Sequence, residues 1–180
     1  GISPPIIVMN PEQHSFDLML ENNLEPELST VESMKLYSSM ARKIGISQAP
    51  IHIKIDTGMK RSGFDIADME VVAKCVRECG NLLIVSAFSH LVGSDENVHD
   101  DFSQHQISIF EDATRRLSEA VGQPFMRHIL NSAGIERFSD YQFEMVRLGI
   151  GLYGVSAIDN SRLRNVVTLQ SYISQIRNVP

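Results

Sequence analysis

Residues 49–64 read APIHIKIDTGMKRSGF. The first half alternates isoleucine with polar residues, so the isoleucines share one face of an extended strand while His52, Lys54 and Asp56 share the other. A polar loop that contains Arg61 follows directly. The stretch predicts a strand that packs its isoleucines on helices and turns charged side chains inward, where they must be paired. An exposed Lys54–Asp56 pair on an edge strand is the alternative that this pattern leaves open.

Apolar runs of this kind recur along the chain, with amphipathic stretches between them. Strands are predicted over residues 4–10, 24–29, 49–56, 81–90, 126–131 and 143–154. Strands that alternate with helices are typical of a parallel sheet built from βαβ units. Between the first helices, Ser29 and Glu32 have the spacing of a capping box, which predicts a helix start at Ser29.

Two architectures fit this order of elements: a doubly wound open sheet and a (β/α)8 barrel. No G-x-G-x-x-G follows a strand, which disfavours a dinucleotide-binding sheet. A full barrel needs about 250 residues and eight units, whereas this chain has 180 residues. We therefore predict an α/β fold, a partial (β/α)8 TIM-type barrel with about six of the eight strands, and a smaller α/β domain is the alternative.

The last part of the chain has a different pattern. The segment LRNVVTLQSYISQIRNV, residues 163–179, alternates polar with branched and aromatic residues, which is typical of strands rather than helices. We expect residues 1–156 to form the partial barrel and residues 157–180 to begin an all-β domain.

Composition excludes several classes of function. Hydrophobic residues make up 43% of the chain, the net charge is −6 and the isoelectric point is near 5.5. An acidic chain is a poor ligand for nucleic acid or an anionic membrane, and no apolar run is long enough to span a bilayer. Cys75 and Cys79 are the two cysteines, and we interpret them as buried thiols rather than metal ligands. The absence of a signal-peptide pattern at the start favours a cytoplasmic location.

Polar residues gather where the predicted strands end. His90 ends one strand, Asn131 and Ser132 end the next, and Arg147 lies in the last, just before a glycine-rich turn. Each has a structural explanation by itself: a core histidine, a helix cap and an inter-strand salt bridge. Together they predict an active site at the carboxyl ends of parallel strands, with a phosphate-binding turn after the last two.

Four motifs in order now point to a family. HIKIDTGMKRSGF, SAFSHLVGSDE, HILNSAGIERF and FEMVRLGIGLYG together resemble alanine racemase, and the resemblance runs from about residue 6 to residue 179. It implies a fold-III barrel that uses pyridoxal 5'-phosphate (PLP), a following β-domain, a homodimer, and interconversion of L- and D-alanine for peptidoglycan.

The resemblance also implies roles for single residues. Lys54 matches a lysine that is often carbamylated, and Arg61 matches the arginine that contacts the cofactor's phenolic oxygen and the substrate carboxylate. His90 matches the histidine that faces the pyridine ring. Arg147 matches the arginine bonded to the pyridine nitrogen, and His128 matches a partner of that arginine. Because a guanidinium keeps its proton, the ring nitrogen opposite it stays unprotonated, which suits a racemase.

Four further positions match the family's phosphate site: Asn131, Ser132, Gly149 and Ile150. Family members also use a cofactor-binding lysine near the first strand and a tyrosine from the partner's β-domain as catalytic bases. We assign neither Tyr153 nor Tyr172 to that role, and expect the 180 residues alone to be inactive.

Alternatives remain within and beyond the family. A serine or broad-specificity amino-acid racemase keeps the fold and changes the substrate. A non-enzymatic PLP-homeostasis barrel is disfavoured by the β-type residues after Gly154. A racemase fused behind a cell-wall ligase is a third alternative. Lys60 stands where the family commonly has glycine, and Leu148 where it has proline, which leaves the subgroup open.

Overall fold

One sheet of five parallel strands organises the fold, as shown by a computed structural model that describes residues 4–178. The strands are β1 (Ile6–Val8), β2 (Leu24–Leu28), β3 (Ala49–Lys54), β4 (Leu82–Phe88) and β5 (Met126–His128), and they neighbour one another in that order. Every pairing between neighbours is parallel.

Helices connect successive strands. They are α1 (Phe16–Glu21), α2 (Val31–Lys43), α3 (Met69–Cys79), α4 (Asp100–Val121) and α5 (Ser132–Arg137). Short 3-10 helices cover Gln13–Ser15, Ile66–Asp68, Asn97–His99, Ser139–Tyr141, Ile150–Tyr153 and Asn160–Arg162. Within residues 4–178, none of the helices is both long and apolar enough to cross a membrane.

The sequential strand order separates the two predicted architectures. A doubly wound sheet reverses its strand order at a switch point, whereas here each strand pairs with the next one in the chain. Right-handed crossovers between successive strands place the helices on one face of such a sheet. The fold is therefore a half-barrel of the (β/α)8 type, and the prediction of a partial barrel is confirmed.

The core lies between the sheet and this helical layer. Ile51 and Ile53 of β3 are fully buried together with Met34 of α2, Val72 of α3 and Phe110 of α4. Full burial of one such side chain contributes about 1.5–3 kcal/mol. The isoleucine face of residues 49–64 is thus the face that packs on helices, as predicted.

A β-bulge lies in the middle of β4. Ile51 pairs with Ile84, but the next residue of β3, His52, pairs with Ser86, which leaves Val85 as the extra residue. One extra residue exchanges the two faces of a strand. Ile84 therefore lies on the helical side, while Ser86 lies on the inner, concave side.

The sixth predicted strand, residues 143–154, is not a strand in the structure. Two backbone hydrogen bonds hold this segment beside β5: the Met145 amide donates to the Arg127 carbonyl, and the Arg147 amide donates to the Leu130 carbonyl. The pairing then stops, because the next amide groups turn toward a serine side chain and the segment coils into the 3-10 helix Ile150–Tyr153. Within residues 4–178 the sheet accordingly has five strands, and the predicted count of about six is not confirmed.

The predicted β-type tail is not paired. In the described part of this tail, residues 163–178, the chain has no strand and its side chains are exposed; residues 179–180 lie outside the described part. A strand needs a neighbour to satisfy its backbone groups, and the contact of the Val166 amide with the Tyr153 carbonyl, at 3.5 Å, does not build a strand here. The start of an all-β domain therefore remains a prediction.

Helix α2 begins one residue later than predicted. Its cap is Thr30, whose side chain accepts a hydrogen bond from the Ser33 amide at 3.1 Å. Thr30 has the extended backbone that a cap requires, so the capping box predicted from Ser29 and Glu32 is wrong by one position.

The cysteines are buried free thiols on α3, as predicted. Their sulfur atoms are 4.0 Å apart. Burial, followed by the neighbouring thiol, raises the pKa of Cys75 to about 11.

A buried amide joins α2 to the start of β4. The Asn81 side chain accepts a hydrogen bond from the Ser38 hydroxyl at 2.5 Å and donates to the Ser38 carbonyl at 3.0 Å. Its backbone carbonyl accepts from the Ala49 amide at 2.8 Å, where β3 begins. The side chain is 7% exposed, so water cannot replace these partners.

We expect Asn81→Ala to lower the free energy of unfolding by about 2 kcal/mol or more, because it leaves the buried Ser38 groups without partners. Urea denaturation measures this loss. The exposed Asn165→Ala is the control, and it should cost within about 0.5 kcal/mol. Equal losses in the two variants would contradict a structural role for the buried amide.

Candidate active site

A row of three side chains crosses the concave face of the sheet. Lys54, Phe88 and His128 occupy matching positions on β3, β4 and β5. The Lys54 Nζ atom lies 4.5 Å from the centre of the Phe88 ring, and that ring stacks on the His128 imidazole with centroids 4.8 Å apart. The strand face opposite the isoleucines is therefore the inner face, as the alternation in β3 predicts.

Arg147 closes this row from the segment after β5. Its Nη1 donates to His128 Nδ1 at 2.7 Å and to the His128 carbonyl at 3.0 Å. Its Nη2 donates to the carbonyls of Ser89 at 2.6 Å and Ile129 at 3.2 Å. All these acceptors are neutral, so the predicted alternative of an inter-strand salt bridge does not describe Arg147 in residues 4–178.

The Arg147 guanidinium remains charged despite its burial. Burial lowers its pKa to about 10, and the Glu27 carboxylate works in the opposite direction. Its central carbon lies 5.3 Å from the Phe88 ring centre. The site thus holds a fixed cation whose position is set by four acceptors.

A directional chain of hydrogen bonds leads from Arg147 across the sheet. An arginine only donates, so His128 accepts at Nδ1 and carries its proton on Nε2, 2.9 Å from the Ser86 hydroxyl. Ser86 then donates to His52 Nδ1 at 2.6 Å, and His52 Nε2 donates to the Glu25 carboxylate at 2.8 Å. Arg147 and Glu25, at the two ends, leave only one arrangement of protons.

Both histidines nearest the cations are neutral. Burial, followed by the charge of Arg147, lowers the pKa of His128 to about 3 and that of His90 to about 4. Lys54 and Arg61 add to the shift at His90. His90 is therefore close enough to all three cations for their charges to lower its pKa, and its place opposite a pyridine ring stays a prediction.

Lys54 is a buried amine, 4% exposed. Burial lowers its pKa to about 8, against the attraction of Glu27 and with further lowering by Arg147 and Arg61. A cavity of about 310 Å³ is lined by Met9, Asn10, Glu27, Lys54, Arg61 and Ser62. Lys54 and Arg61 therefore face one space, and a carboxylate shares it with them.

The loop after β3 folds back on its own strand. The Asp56 amide donates to the Phe64 carbonyl and the Phe64 amide to the Lys54 carbonyl, each at 2.9 Å. Asp56 Oδ1 accepts from the amides of Gly58 at 2.8 Å and Lys60 at 3.1 Å. Asp56 thus builds the turn, and because Lys54 is buried, the alternative of an exposed Lys54–Asp56 pair does not describe this strand.

Two backbone positions make this return possible. Lys60 has a φ of 57°, a left-handed conformation that glycine adopts at less cost, and it is the position where the resembled family commonly has glycine. At Gly63 a Cβ atom would lie 2.6 Å from the Asp56 backbone nitrogen. Only glycine fits this close approach, which carries Arg61 back over the mouth of the site.

Ser132 lies at the centre of the predicted phosphate turn. Its hydroxyl oxygen accepts from the Gly149 amide at 2.9 Å and the Gly151 amide at 3.0 Å. Ile150 lies between these glycines at the start of a 3-10 helix. The structure therefore brings Ser132, Gly149 and Ile150 together, as predicted.

The Asn131 side chain bonds to a helix start and to the loop after β4. Its Oδ1 accepts from the Gly134 amide at 2.9 Å, as the cap of α5, and from the Ser94 hydroxyl at 2.8 Å. Its amide nitrogen donates to the Leu91 carbonyl at 3.1 Å. The helix-cap explanation fits the Asn131 side chain, which also holds the loop after β4; a role of Asn131 in phosphate binding stays a prediction.

Sequence reasoning missed several members of the site. Glu25 and Glu27 alternate along β2, as His52 and Lys54 do along β3. That alternation is the signal that the sequence offers for these two carboxylates, and the prediction of a strand over residues 24–29 does not use it. Ser86 gave no signal, because one serine in an apolar strand has no pattern.

The buried His128 and the half-buried His90 predict how stability depends on pH. Their folded pKa values lie below 6.5, so the unfolded state binds more protons as pH falls below 6.5, and stability falls with it until the folded pKa values are reached. Between pH 7 and pH 5, we expect His128 to account for a loss of about 2 kcal/mol. The variant His128→Gln should lack that part of the pH-dependent loss of stability, as measured by urea denaturation at pH 7 and at pH 5. The exposed His105→Gln is the control, and an unchanged pH slope in His128→Gln would contradict the assignment.

Comparison with known proteins gives the context for this geometry. The whole chain aligns, at 31% identity over 191 residues, with 48% of the alanine racemase of Prochlorococcus marinus. The alanine racemase of Clostridium difficile 630, solved in complex with cycloserine, superposes with a TM-score of 0.80 at 27% identity, over 92% of this chain and 46% of that one.

A third similarity extends the fold comparison. The alanine racemase of Bartonella henselae, solved with covalently bound pyridoxal phosphate, has a TM-score of 0.71 at 24% identity, over 85% of this chain and 41% of that one. The chain spans about half the length of the curated relatives it matches. The family model described as alanine racemase, N-terminal domain, matches residues 1–157. The chain therefore belongs to the alanine racemase N-terminal domain family.

Proposed function

We propose that the protein that contains this chain is a PLP-dependent alanine racemase, which interconverts L-alanine and D-alanine. The observation that carries the proposal is Arg147, a buried cation fixed by four neutral acceptors at the carboxyl ends of the strands. The family match over residues 1–157 and the racemases at about 30% identity support it.

The residues present fit PLP at its phosphate end. Ser132 offers a hydroxyl, and the amides of Gly149 and Gly151 converge on that same hydroxyl. At Gly151 a Cβ atom would lie 3.4 Å from Ser132 Oγ and 2.7 Å from the Leu148 side chain, so a larger residue would fill this cradle. We propose that Ser132 and the backbone of residues 149–150 hold the phosphate.

The residues also fit the ring end. When bound, PLP supplies an electron-withdrawing ring that makes the α-hydrogen of an amino acid acidic. Arg147 holds its proton at neutral pH and can donate a hydrogen bond to a ring nitrogen without transferring that proton. The neutral His128 keeps Arg147 in place, and we propose that the neutral His90 faces the ring.

Arg61 is the remaining cation at the mouth of the site. It is exposed, it lines the same cavity as Lys54, and a guanidinium matches a carboxylate in two parallel hydrogen bonds. We propose that Arg61 binds the substrate carboxylate and the phenolic oxygen of the cofactor. Asn131 belongs to this site as the residue that fixes the adjoining loop.

The proposal includes the setting of the enzyme. We propose a homodimer in the cytoplasm that supplies D-alanine for peptidoglycan, with a barrel over residues 1–156 and an all-β domain that begins at residue 157. The family match that ends at residue 157 supports this division. Exposed apolar side chains after that point, such as Leu169, Tyr172 and Ile176, suit burial in a further domain or subunit.

Racemisation of alanine tests the proposed function. We expect the full-length protein with PLP to convert either enantiomer into the other, and Arg147→Met to lower kcat/KM at least about 100-fold, because a donor at the reacting group is lost. Stereospecific detection of D-alanine measures the rate. Arg116→Met, on the surface beside Asp112, is the matched control.

A panel of amino acids in the same assay separates the alternatives. Serine turned over faster than alanine would indicate a broad-specificity racemase. Absence of turnover for every amino acid tested would overturn the proposed activity.

Lys54 gives a second test. We propose that its neutral amine bonds the carbon of CO2 and releases one proton, which forms a carbamate. The Glu27 carboxylate raises the Lys54 pKa and so opposes this reaction. We expect Glu27→Gln to increase the carbamate signal severalfold in carbon-13 NMR spectra recorded with labelled bicarbonate at pH 7.5.

Lys54→Arg is the control for that measurement, since a guanidinium forms no carbamate under these conditions. A signal that is absent from both the natural protein and Glu27→Gln would show that Lys54 stays an amine. A signal that is equal in the two proteins would show that Glu27 does not oppose the reaction.

A further inference from the structure

One side chain on α4 contacts both of the loops that frame the site. Gln106 is fully buried. Its Oε1 accepts from the Val92 amide at 3.2 Å, and its Nε2 donates to the His90 carbonyl at 3.0 Å and to the Thr57 hydroxyl at 3.1 Å. Both polar ends of the carboxamide are therefore bonded, to the loop after β3 and to the loop after β4.

The orientation of this amide is fixed by its partners. A carboxamide rotated by 180° would place its NH2 group against the Val92 N–H and its oxygen against the His90 carbonyl, which loses the donor–acceptor matches on both sides. A carboxylate at this position would also lack the two donors. The site thus requires glutamine rather than a residue that is merely polar and similar in size.

The connection continues from Gln106 to the central cation. The Thr57 hydroxyl is 2.8 Å from the Ser89 hydroxyl, and the Ser89 carbonyl accepts from Arg147 at 2.6 Å. The Ser89 amide in turn donates to the carbonyl of β5 residue His128 at 3.3 Å. Buried hydrogen bonds of this kind are rigid, because an unpaired group in the interior costs about 1–3 kcal/mol.

The same helix also packs against the loop that carries Arg61. Phe102, one turn before Gln106 on α4, would be 3.2 Å from a Cβ atom added at Gly58. The Gly58 amide donates a hydrogen bond to the Asp56 carboxylate. The loop therefore rests on α4 through both apolar and polar contacts.

We propose that Gln106 is a positioning residue for the active site, which sets His90, the Arg61 loop and Arg147 in register with one another. Gln106 touches none of the reacting groups, and its effect passes through Thr57, Ser89 and the backbone of residues 90–92. The proposal rests on the proposed PLP function for its consequence, but the connection itself is independent of that function.

Two variants test the role in the full-length apo protein. Gln106→Glu keeps the size and removes both donors, and Thr57→Val removes one partner and leaves Gln106 in place. We expect pyridoxal phosphate to bind about tenfold or more weakly to Gln106→Glu and severalfold more weakly to Thr57→Val. Equilibrium dialysis measures the affinity.

Ile107→Val is the matched control, because Ile107 is the buried neighbour of Gln106 in the core and contributes only to packing. The affinity of Ile107→Val for pyridoxal phosphate should stay within twofold of that of the natural protein. This should hold even if the urea midpoint of Ile107→Val falls as far as that of Gln106→Glu. A purely structural role for Gln106 predicts equal affinities in both variants at a urea-free condition where each is folded, and that result would overturn the proposal.

Hydrogen exchange at the Val92 amide separates this proposal from the proposed function. We expect exchange at that amide to be at least tenfold faster in Gln106→Glu than in Ile107→Val, with or without cofactor. If the natural protein fails to bind pyridoxal phosphate, the proposed function is wrong. The exchange rates would still show whether Gln106 holds the loop after β4. Unchanged exchange at Val92 would refute it directly.

Discussion

The site depends on burying one guanidinium among neutral acceptors. Removing a charge from water is costly unless each of its donors finds a partner, and Arg147 finds His128 and three backbone carbonyls. Those carbonyls belong to residues at the ends of β4 and β5, so the charge is held only when both strands end in the correct register. Burial, followed by the charge of this cation, lowers the pKa of His90 and His128, and the cation sets the direction of the hydrogen bonds that continue to Glu25.

The parts of the fold that were predictable are those with a local pattern. The alternation of isoleucine with His52 and Lys54 correctly assigned the faces of β3, because a strand has no other way to separate buried from polar residues. The order of strands and helices correctly gave a parallel sheet. The predicted strand at residues 143–154 failed, because its amides at Gly149 and Gly151 bond to a serine hydroxyl rather than to a neighbouring strand, and Leu148, Ile150 and Leu152 stay exposed.

The site was predictable where the family motifs cover it and hidden where contacts are long-range. Lys54, His90, Ser132 and Arg147 all follow strand ends and could be grouped before any coordinates were known. Gln106 could not, since it lies in the middle of an amphipathic helix where one buried glutamine has no distinguishing pattern. Its partners lie between 14 and 49 residues away, and only the fold brings them within hydrogen-bond distance.

The bulge at Val85 has a consequence for how this chain can vary. Before the bulge, Ile84 faces the helices and lies in the core. After it, Ser86 and Phe88 face the site, although regular alternation would place them on the same face as Ile84. Loops between the elements can gain or lose residues without changing which side chains face inward. Deletion of Val85 would remove the bulge and leave Ile84, Ser86 and Phe88 with their present partners. A ladder that kept Val85 but formed no bulge would instead turn the rest of β4 over, and Val85 and Ala87 would take the places of Ser86 and Phe88 in the site. The register of this one pairing is therefore a property of the chemistry as much as of the fold.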